Sequence, residues 1–196
     1  MPWSGTHFPL RPLGFAPNAP LTAGVIDMKL YKTPKSVPYP RYSSNLRKID
    51  ELLSVKYNSK YFTMFIAANW NEINNAELLK VAKQLIVSGL RYICTWGRGC
   101  ERAHDLFDQA NIKVQQDSES DLLVMSSWHE DETLEEALWY WLYCAMVDDE
   151  YWEECIGIGV SICNPDWNTV IDASLTDVKK LCRKIDKGDP GNEVIR

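Results

Sequence analysis

A cysteine and a histidine lie one helical turn apart in the stretch TWGRGCERAHD, residues 95–105. Cys100 would occupy the first turn of a helix, where the positive end of the helix dipole can lower a thiol pKa. A thiolate beside the imidazole of His104 has the composition of a cysteine nucleophile with its base. Cys100 also continues an apolar helix face that leads to Phe107, so a buried structural thiol is the favoured interpretation.

No established nucleophile or phosphate-binding motif completes this stretch. The phosphate-loop pattern GxxxxGK[ST] is absent, and the CxxxxxR loop of phosphatases would need an arginine where Leu106 stands. None of the six cysteines forms a CxxC pair, so the spacing of a zinc ribbon is missing. Any catalysis would therefore rest on Cys100 as nucleophile, with His104 or His129 as base.

A second group of polar residues follows the stretch MSSWH, where His129 is succeeded by three carboxylates. These groups and His104 could bind a divalent cation, but neither HExxH nor facial-triad spacing is present, so no metal site and no cofactor are predicted. Acidic groups before a helix suit its dipole, and helix capping explains most of them. Residues 130–154 contain ten carboxylates and no Lys or Arg, which makes this run the most acidic surface available to a partner.

Tryptophan follows four predicted strands, in the stretches IAANW, ICTWG, MSSWH and ICNPDW. The carboxyl ends of parallel strands share one edge of a sheet, and ligands bind there. We therefore expect Trp70, Trp96, Trp128 and Trp167 to gather into what we call the tryptophan rim. For any single ring, capping of the core is the favoured alternative. The predicted binding residues are Asn69, Trp70, Trp96, Gly97, Cys100, Glu101, Trp128, His129, Glu130 and Asn164.

The elements that would position these residues alternate between strand and helix. The strand stretches are YFTMFIAAN, LRYICTWG, DLLVMSSWH and ECIGIGVSICN. Between them lie a helix with Asn75 as its cap and Gly89 as its end, a helix over GCERAHDLFDQAN, and a helix opened by a capping box from Thr133 to Glu136. One or two short helices follow. The predicted fold is α/β, a small three-layer parallel sheet of about four to five strands with helices on both faces, flavodoxin-like or Rossmann-like.

Residues 1–42 hold eight of the ten prolines and also many apolar residues. They predict an extended arm laid partly on the body, with a short strand in AGVIDMKLY. The next stretch, SSNLRKIDELLSV, has apolar residues at helical spacing behind a serine and predicts an amphipathic helix. The predicted organisation is an arm over residues 1–42, a single α/β domain over 43–188 and a frayed tail over 189–196.

The composition narrows the functional classes. The chain has 196 residues and a net charge of −6, with +6 in residues 1–60 and −12 in residues 61–196. Nonspecific binding to nucleic acid is therefore not favoured. The first residues lack the charged and apolar regions of a secretory signal, and no apolar run reaches the ~20 residues that span a bilayer. We expect a cytoplasmic protein with reduced cysteines.

Two motifs resemble those of a family of small bacterial proteins of unknown function. The first is WGxxC followed by DxxDxAN, and the second is WHEDE with LEExxW behind it. The resemblance covers about residues 60–165, and His104 lies outside it. It implies the fold and the location of a site but no reaction. The matching positions are Trp96, Gly97, Cys100, Asp105, Asp108, Ala110, Asn111, Trp128, His129, Glu130, Asp131, Glu132, Leu134, Glu135, Glu136 and Trp139.

Two functional classes remain. The favoured one is a non-enzymatic binding module, of an immunity or defence-associated type, that uses the acidic face and the tryptophan rim. The alternative is an enzyme that binds a small molecule or nucleotide, with Cys100 as nucleophile and His129 as base. The partner is expected to be another protein or a small molecule, not nucleic acid or a membrane, and the oligomeric state is open. A fold alone does not settle function. We rank the binding module above the enzyme because the sequence contains no complete catalytic motif.

Overall fold

A mostly parallel sheet forms the centre of the protein. The computed structural model describes residues 28–32, 36–118 and 123–187. Within these ranges the sheet has six strands in the order β1-β2-β6-β3-β4-β5, and only β1 runs antiparallel to its neighbour. The strands are β1 (Lys29–Tyr31), β2 (Arg41–Leu46), β3 (Tyr61–Ala67), β4 (Leu90–Trp96), β5 (Met125–His129) and β6 (Cys155–Ile162). The α/β class is confirmed, with slightly more strands than the sequence predicted.

The strands β1 and β2 precede the four strands that alternate with helices in the predicted pattern. The predicted helix over SSNLRKIDELLSV is wrong in its first half, because β2 pairs in parallel with β6 and only Ile49–Ser54 form a 3₁₀ helix. Leu46 ends the strand, and Ile49 and Leu52 lie on the 3₁₀ helix, yet all three are buried in one cluster. Two short elements that bury side chains on the same face thus produced a spacing typical of one helix.

In the described part of the chain, five α-helices cover the two faces of the sheet. One face is packed by α1 (Asn75–Val87) and α2 (Cys100–Ser118), and the other by α3 (Leu134–Tyr143), α4 (Pro165–Thr176) and α5 (Val178–Asp186). The three-layer arrangement is therefore present. Within the described ranges, none of the helices combines the length and the apolar character that crossing a membrane requires.

The helix ends agree with the predicted caps except at the start of α1. The cap of α1 is Asn74 rather than Asn75, because the Asn74 side chain accepts a hydrogen bond from the Glu77 backbone N–H at 2.8 Å. Gly89 follows α1 with a φ of 106°, as expected for a helix end. The capping box from Thr133 to Glu136 is present at the start of α3.

A hydrogen-bonded cluster holds β1 and β2 against α4. The hydroxyls of Tyr31 and Ser43 each lie 2.5 Å from Asp172 Oδ1, and the Lys29 ammonium lies 3.4 Å from Oδ2 of the same carboxylate. The short strand predicted in AGVIDMKLY is therefore part of the sheet, as β1. Residues 1–27 of the predicted arm and the predicted tail over 189–196 lie outside the described residues.

Candidate functional site

The strand pairings bring the predicted site residues to one edge of the sheet. Ala67 at the end of β3 pairs with Trp96 of β4, and Trp96 pairs with His129 of β5. On its other side, Ala67 pairs with Ser161 near the end of β6. We call this the carboxyl edge. The predicted positions directly beyond the strands therefore also lie there: Asn69, Trp70, Gly97, Glu130 and Asn164.

Most of the tryptophan rim is packed rather than open. Trp70 is fully buried and its Nε1 donates to the Trp96 carbonyl at 2.9 Å. Trp96 is 6% exposed, donates from Nε1 to the Glu132 carbonyl at 2.9 Å, and meets the half-buried Trp167 ring edge-on at 5.4 Å. Trp128 differs, because 47% of its surface is exposed. The rim is therefore a cap on the core with one ring at the surface.

Cys100 is a buried thiol. It has no exposed surface, and burial raises the pKa of its thiol to about 11. Desolvation thus outweighs the helix dipole, which favours the thiolate. His104 instead packs on the ring of Trp128, at 4.5 Å between ring centroids, and its nitrogens face Asp105 and Asp108. In the described part of the chain, no side-chain hydrogen bond or ion pair joins Cys100 to His104.

His129 stands in a chain of hydrogen bonds. Its ring is 4% exposed, with Nδ1 at 2.6 Å from Glu132 Oε2 and Nε2 at 3.0 Å from the Ser127 hydroxyl. The Ser127 hydroxyl also lies 3.3 Å from the Cys94 sulfur. A carboxylate that accepts a hydrogen bond from Nδ1 favours the tautomer protonated at Nδ1. In that tautomer Nε2 can accept a hydrogen bond. The SxH spacing places both side chains on one face of the strand and so brings Ser127 beside His129.

The two histidines cannot share a metal ion. His129 and Trp128 are neighbours in β5, so their side chains project from opposite faces, and His104 packs on Trp128. Within the described ranges, no group of three or more metal-ligating side chains is close enough together to hold an ion.

The remaining predicted residues build the loops of the carboxyl edge. Gly97 has a φ of 101°, and a Cβ there would lie 2.4 Å from the Ala68 carbonyl oxygen. The Glu130 carboxylate accepts the Gly99 backbone N–H at 3.0 Å. Asn164 caps α4 by accepting two backbone N–H groups. Asn69 donates to Glu72 at 2.6 Å, and Glu101 is exposed on α2. Turn geometry therefore explains the glycine and most of the polar residues.

A family model described as a domain of unknown function, DUF7684, matches residues 39–176. The chain belongs to the DUF7684 family. The match spans most of the chain, from just before β2 to the end of α4, and so extends further than the motifs at residues 60–165. The prediction of an uncharacterised family is confirmed. A search among curated proteins finds no match.

In this DUF7684 domain the acidic run over residues 130–154 divides between two places. Residues 130–136 lie beside the carboxyl edge, and the 3₁₀ helix Asp149–Glu154 precedes β6 at the opposite, amino edge. Six of the ten carboxylates have partners in the described body, in its loops, caps, hydrogen bonds and ion pairs. These are Glu130, Glu132, Glu135, Glu136, Glu150 and Glu154. The predicted single acidic face is thus two separate patches.

Proposed function

We propose that this domain is a non-enzymatic binding module whose partner is a protein with a basic, extended segment. The observation that carries the proposal is the exposed side of β5, the last strand of the sheet in the described part of the chain. Two of its five residues are large, apolar and exposed, Met125 at 50% and Trp128 at 47%. A sheet edge of this kind is suited to pairing with a segment of another chain.

Acidic side chains on α2 accompany this strand. Glu101, Asp105 and Asp108 follow one another at helical spacing, and the Asp105 and Asp108 side chains are 73% and 48% exposed. We define the β5 surface as Trp128 and these three carboxylates, because Met125 projects from the opposite face of the same edge strand. An aromatic ring held in place by His104 is a typical anchor for a protein partner, and carboxylates beside it favour a basic one.

The setting in this proposal is the bacterial cytoplasm, in an immunity-type or defence-associated role. All six cysteines are free, which suits a reducing compartment. A net charge of −6 suits a basic partner.

The first prediction is that peptides selected from a random phage-displayed library will bind through Trp128. We expect the selected peptides to be basic, to bind less tightly at higher salt, and to lose about tenfold or more in affinity to the Trp128→Ala variant. The Trp152→Ala variant is the matched control, because Trp152 is also exposed, at 38%, but lies outside the β5 surface. Isothermal titration gives the affinities. Peptides that bind Trp128→Ala as well as the unaltered protein would contradict the proposal.

A second candidate is a serine hydrolase, favoured by the hydrogen bonds of Ser127, His129 and Glu132. Hydroxyl, imidazole and carboxylate follow one another at 3.0 Å and 2.6 Å, in the order used by serine nucleophiles. Against it, the Ser127 hydroxyl also contacts the buried Cys94 sulfur, so it faces the interior.

The second prediction separates these candidates with a fluorophosphonate probe that labels activated serines. We expect no labelling of Ser127, because its hydroxyl is turned towards Cys94 and His129 is nearly buried. Mass spectrometry of the treated protein locates any label. Labelling of Ser127 that disappears in the His129→Asn variant would favour the hydrolase and end the non-enzymatic proposal.

A further inference from the structure

Two arginines are buried without an acidic partner. Arg41 has no exposed surface and Arg91 is 6% exposed. In each guanidinium, Nε and Nη2 have no hydrogen-bond partner among the described residues. None of the ion pairs in the described part of the chain includes either arginine. Since arginine remains charged at neutral pH, two positive charges lie in the interior without a counter-charge.

Two aromatic rings and a glycine surround the Arg41 side chain. Its guanidinium carbon lies 4.0 Å from the Tyr39 ring centroid and 5.2 Å from that of Trp141, and its Nη1 donates to the Tyr39 carbonyl at 3.1 Å. Gly157 stands opposite on β6, where a Cβ would lie 2.2 Å from Arg41 Cδ. Glycine in a buried strand often marks such a close approach.

An irregularity in the sheet directs Arg91 to the same region. The register between β3 and β4 shifts at this point, because Leu90 and Tyr92 pair with consecutive residues of β3 and Arg91 is the extra residue. A bulge changes the direction of a side chain. The Arg91 guanidinium carbon lies 4.4 Å from the Tyr61 ring centroid and 5.7 Å from that of Tyr151.

One cluster at the amino edge joins the two arginines. Tyr39, Tyr61 and Cys155 pack together, with Tyr151 against them. The positive charges of both arginines act on the Cys155 thiol, but burial is stronger and raises its pKa to about 12. The thiol is therefore neutral at pH 7 and supplies no counter-charge.

We propose that Arg41 and Arg91 form an anion-binding site that takes the phosphate or carboxylate group of a small ligand. The guanidinium groups lie over aromatic rings, and their unpaired Nε and Nη2 donors suit the oxygens of an oxyanion. A bound anion offsets the cost of burying the two charges.

The 3₁₀ helix Asp149–Glu154 is the route to this site. None of its six residues is buried, so its displacement costs mainly the contacts of Tyr151 with Tyr61 and Arg91 and the bonds of Glu154 to Ser59 and Lys60. The exposed carboxylates of Asp149, Glu150 and Glu153 stand around this route and repel free anions. We therefore expect inorganic phosphate to bind with a Kd on the order of 1 mM.

The third prediction is that one oxyanion stabilises the full chain against heat more than chloride does at equal ionic strength. Thermal unfolding is followed in inorganic phosphate, in succinate and in chloride, so that the phosphate and carboxylate arms are separate. At about tenfold excess over its Kd, the bound anion should raise the Tm by about 3 °C. The same Tm in all three salts would overturn the proposal.

Two arginine variants locate the effect. Arg91→Met removes one buried charge at similar volume, so it should fold, match or exceed the unaltered Tm in chloride, and lose the response to the oxyanion. Arg98→Met alters an exposed arginine and should keep the full response. A response that survives Arg91→Met, or that Arg98→Met also abolishes, would overturn the site. So would alkylation of Cys155 in the folded protein at pH 7, because the thiolate would then be the counter-charge.

Discussion

Replacing Trp70 by alanine lowers the free energy of unfolding by about 3–5 kcal/mol. The ring has no exposed surface and lies in the core cluster beneath α1 and α2, so the substitution leaves a cavity that the surrounding side chains fill only in part. It also removes the Nε1 donor to the Trp96 carbonyl, which keeps only the hydrogen bond from the Ala68 backbone N–H. Equilibrium unfolding in urea measures the loss through the transition midpoint.

Trp128→Ala is the matched control for this experiment, because it removes the same side chain from the same edge of the sheet. Nearly half of that ring is exposed, so we expect a loss of about 1 kcal/mol or less. A similar loss in both variants would contradict the division of the tryptophan rim into buried rings and one surface ring. A small loss in both would show that Trp70 is not held in the core.

The difference between these tryptophans marks the limit of what the sequence could predict about the site. Parallel strands fix which edge the rings occupy, and this follows from the chain order alone. Exposure depends on the helices packed against each ring. Trp70 is enclosed by the face that α1 and α2 cover, whereas Trp128 lies on the edge strand, where no further strand of the described residues shields it.

The fold was predictable where a strand is buried on both faces. The strands β3, β4 and β6 are buried along their whole length, and stretches rich in apolar residues predicted all three, with β3 the continuous apolar run. The strand β2 was not predictable, because its sequence RYSSNL is polar. Its Ser43 is accommodated by Asp172, 129 residues further along the chain, and a local pattern carries no trace of such a partner. The burial of Arg41 depends on Gly157 of the distant strand β6, which a local pattern does not show either.

Cys100 should resist iodoacetamide in the folded protein at neutral pH, while the exposed Cys144 and Cys163 react. Alkylation needs the thiolate. With a pKa of about 11, about one Cys100 thiol in 10⁴ is ionised at pH 7, and the reagent must also reach a sulfur with no exposed surface. We expect Cys100 to react at least about 100-fold more slowly than Cys163, measured by mass spectrometry of peptides after timed labelling.

The effects of pH and of unfolding on the alkylation rate test whether burial causes the slow reaction of Cys100. Because the Cys100 pKa is raised, its thiolate population increases about tenfold per pH unit up to pH 11, so slow labelling should accelerate with pH while the fold persists. In urea, all six thiols should react at similar rates. The Cys100→Ser variant buries a hydroxyl instead and should lose about 1–3 kcal/mol of stability. Selective labelling of Cys100 at pH 7 with no such loss would instead describe an accessible, acidic thiol, and Cys100 would again be the candidate nucleophile.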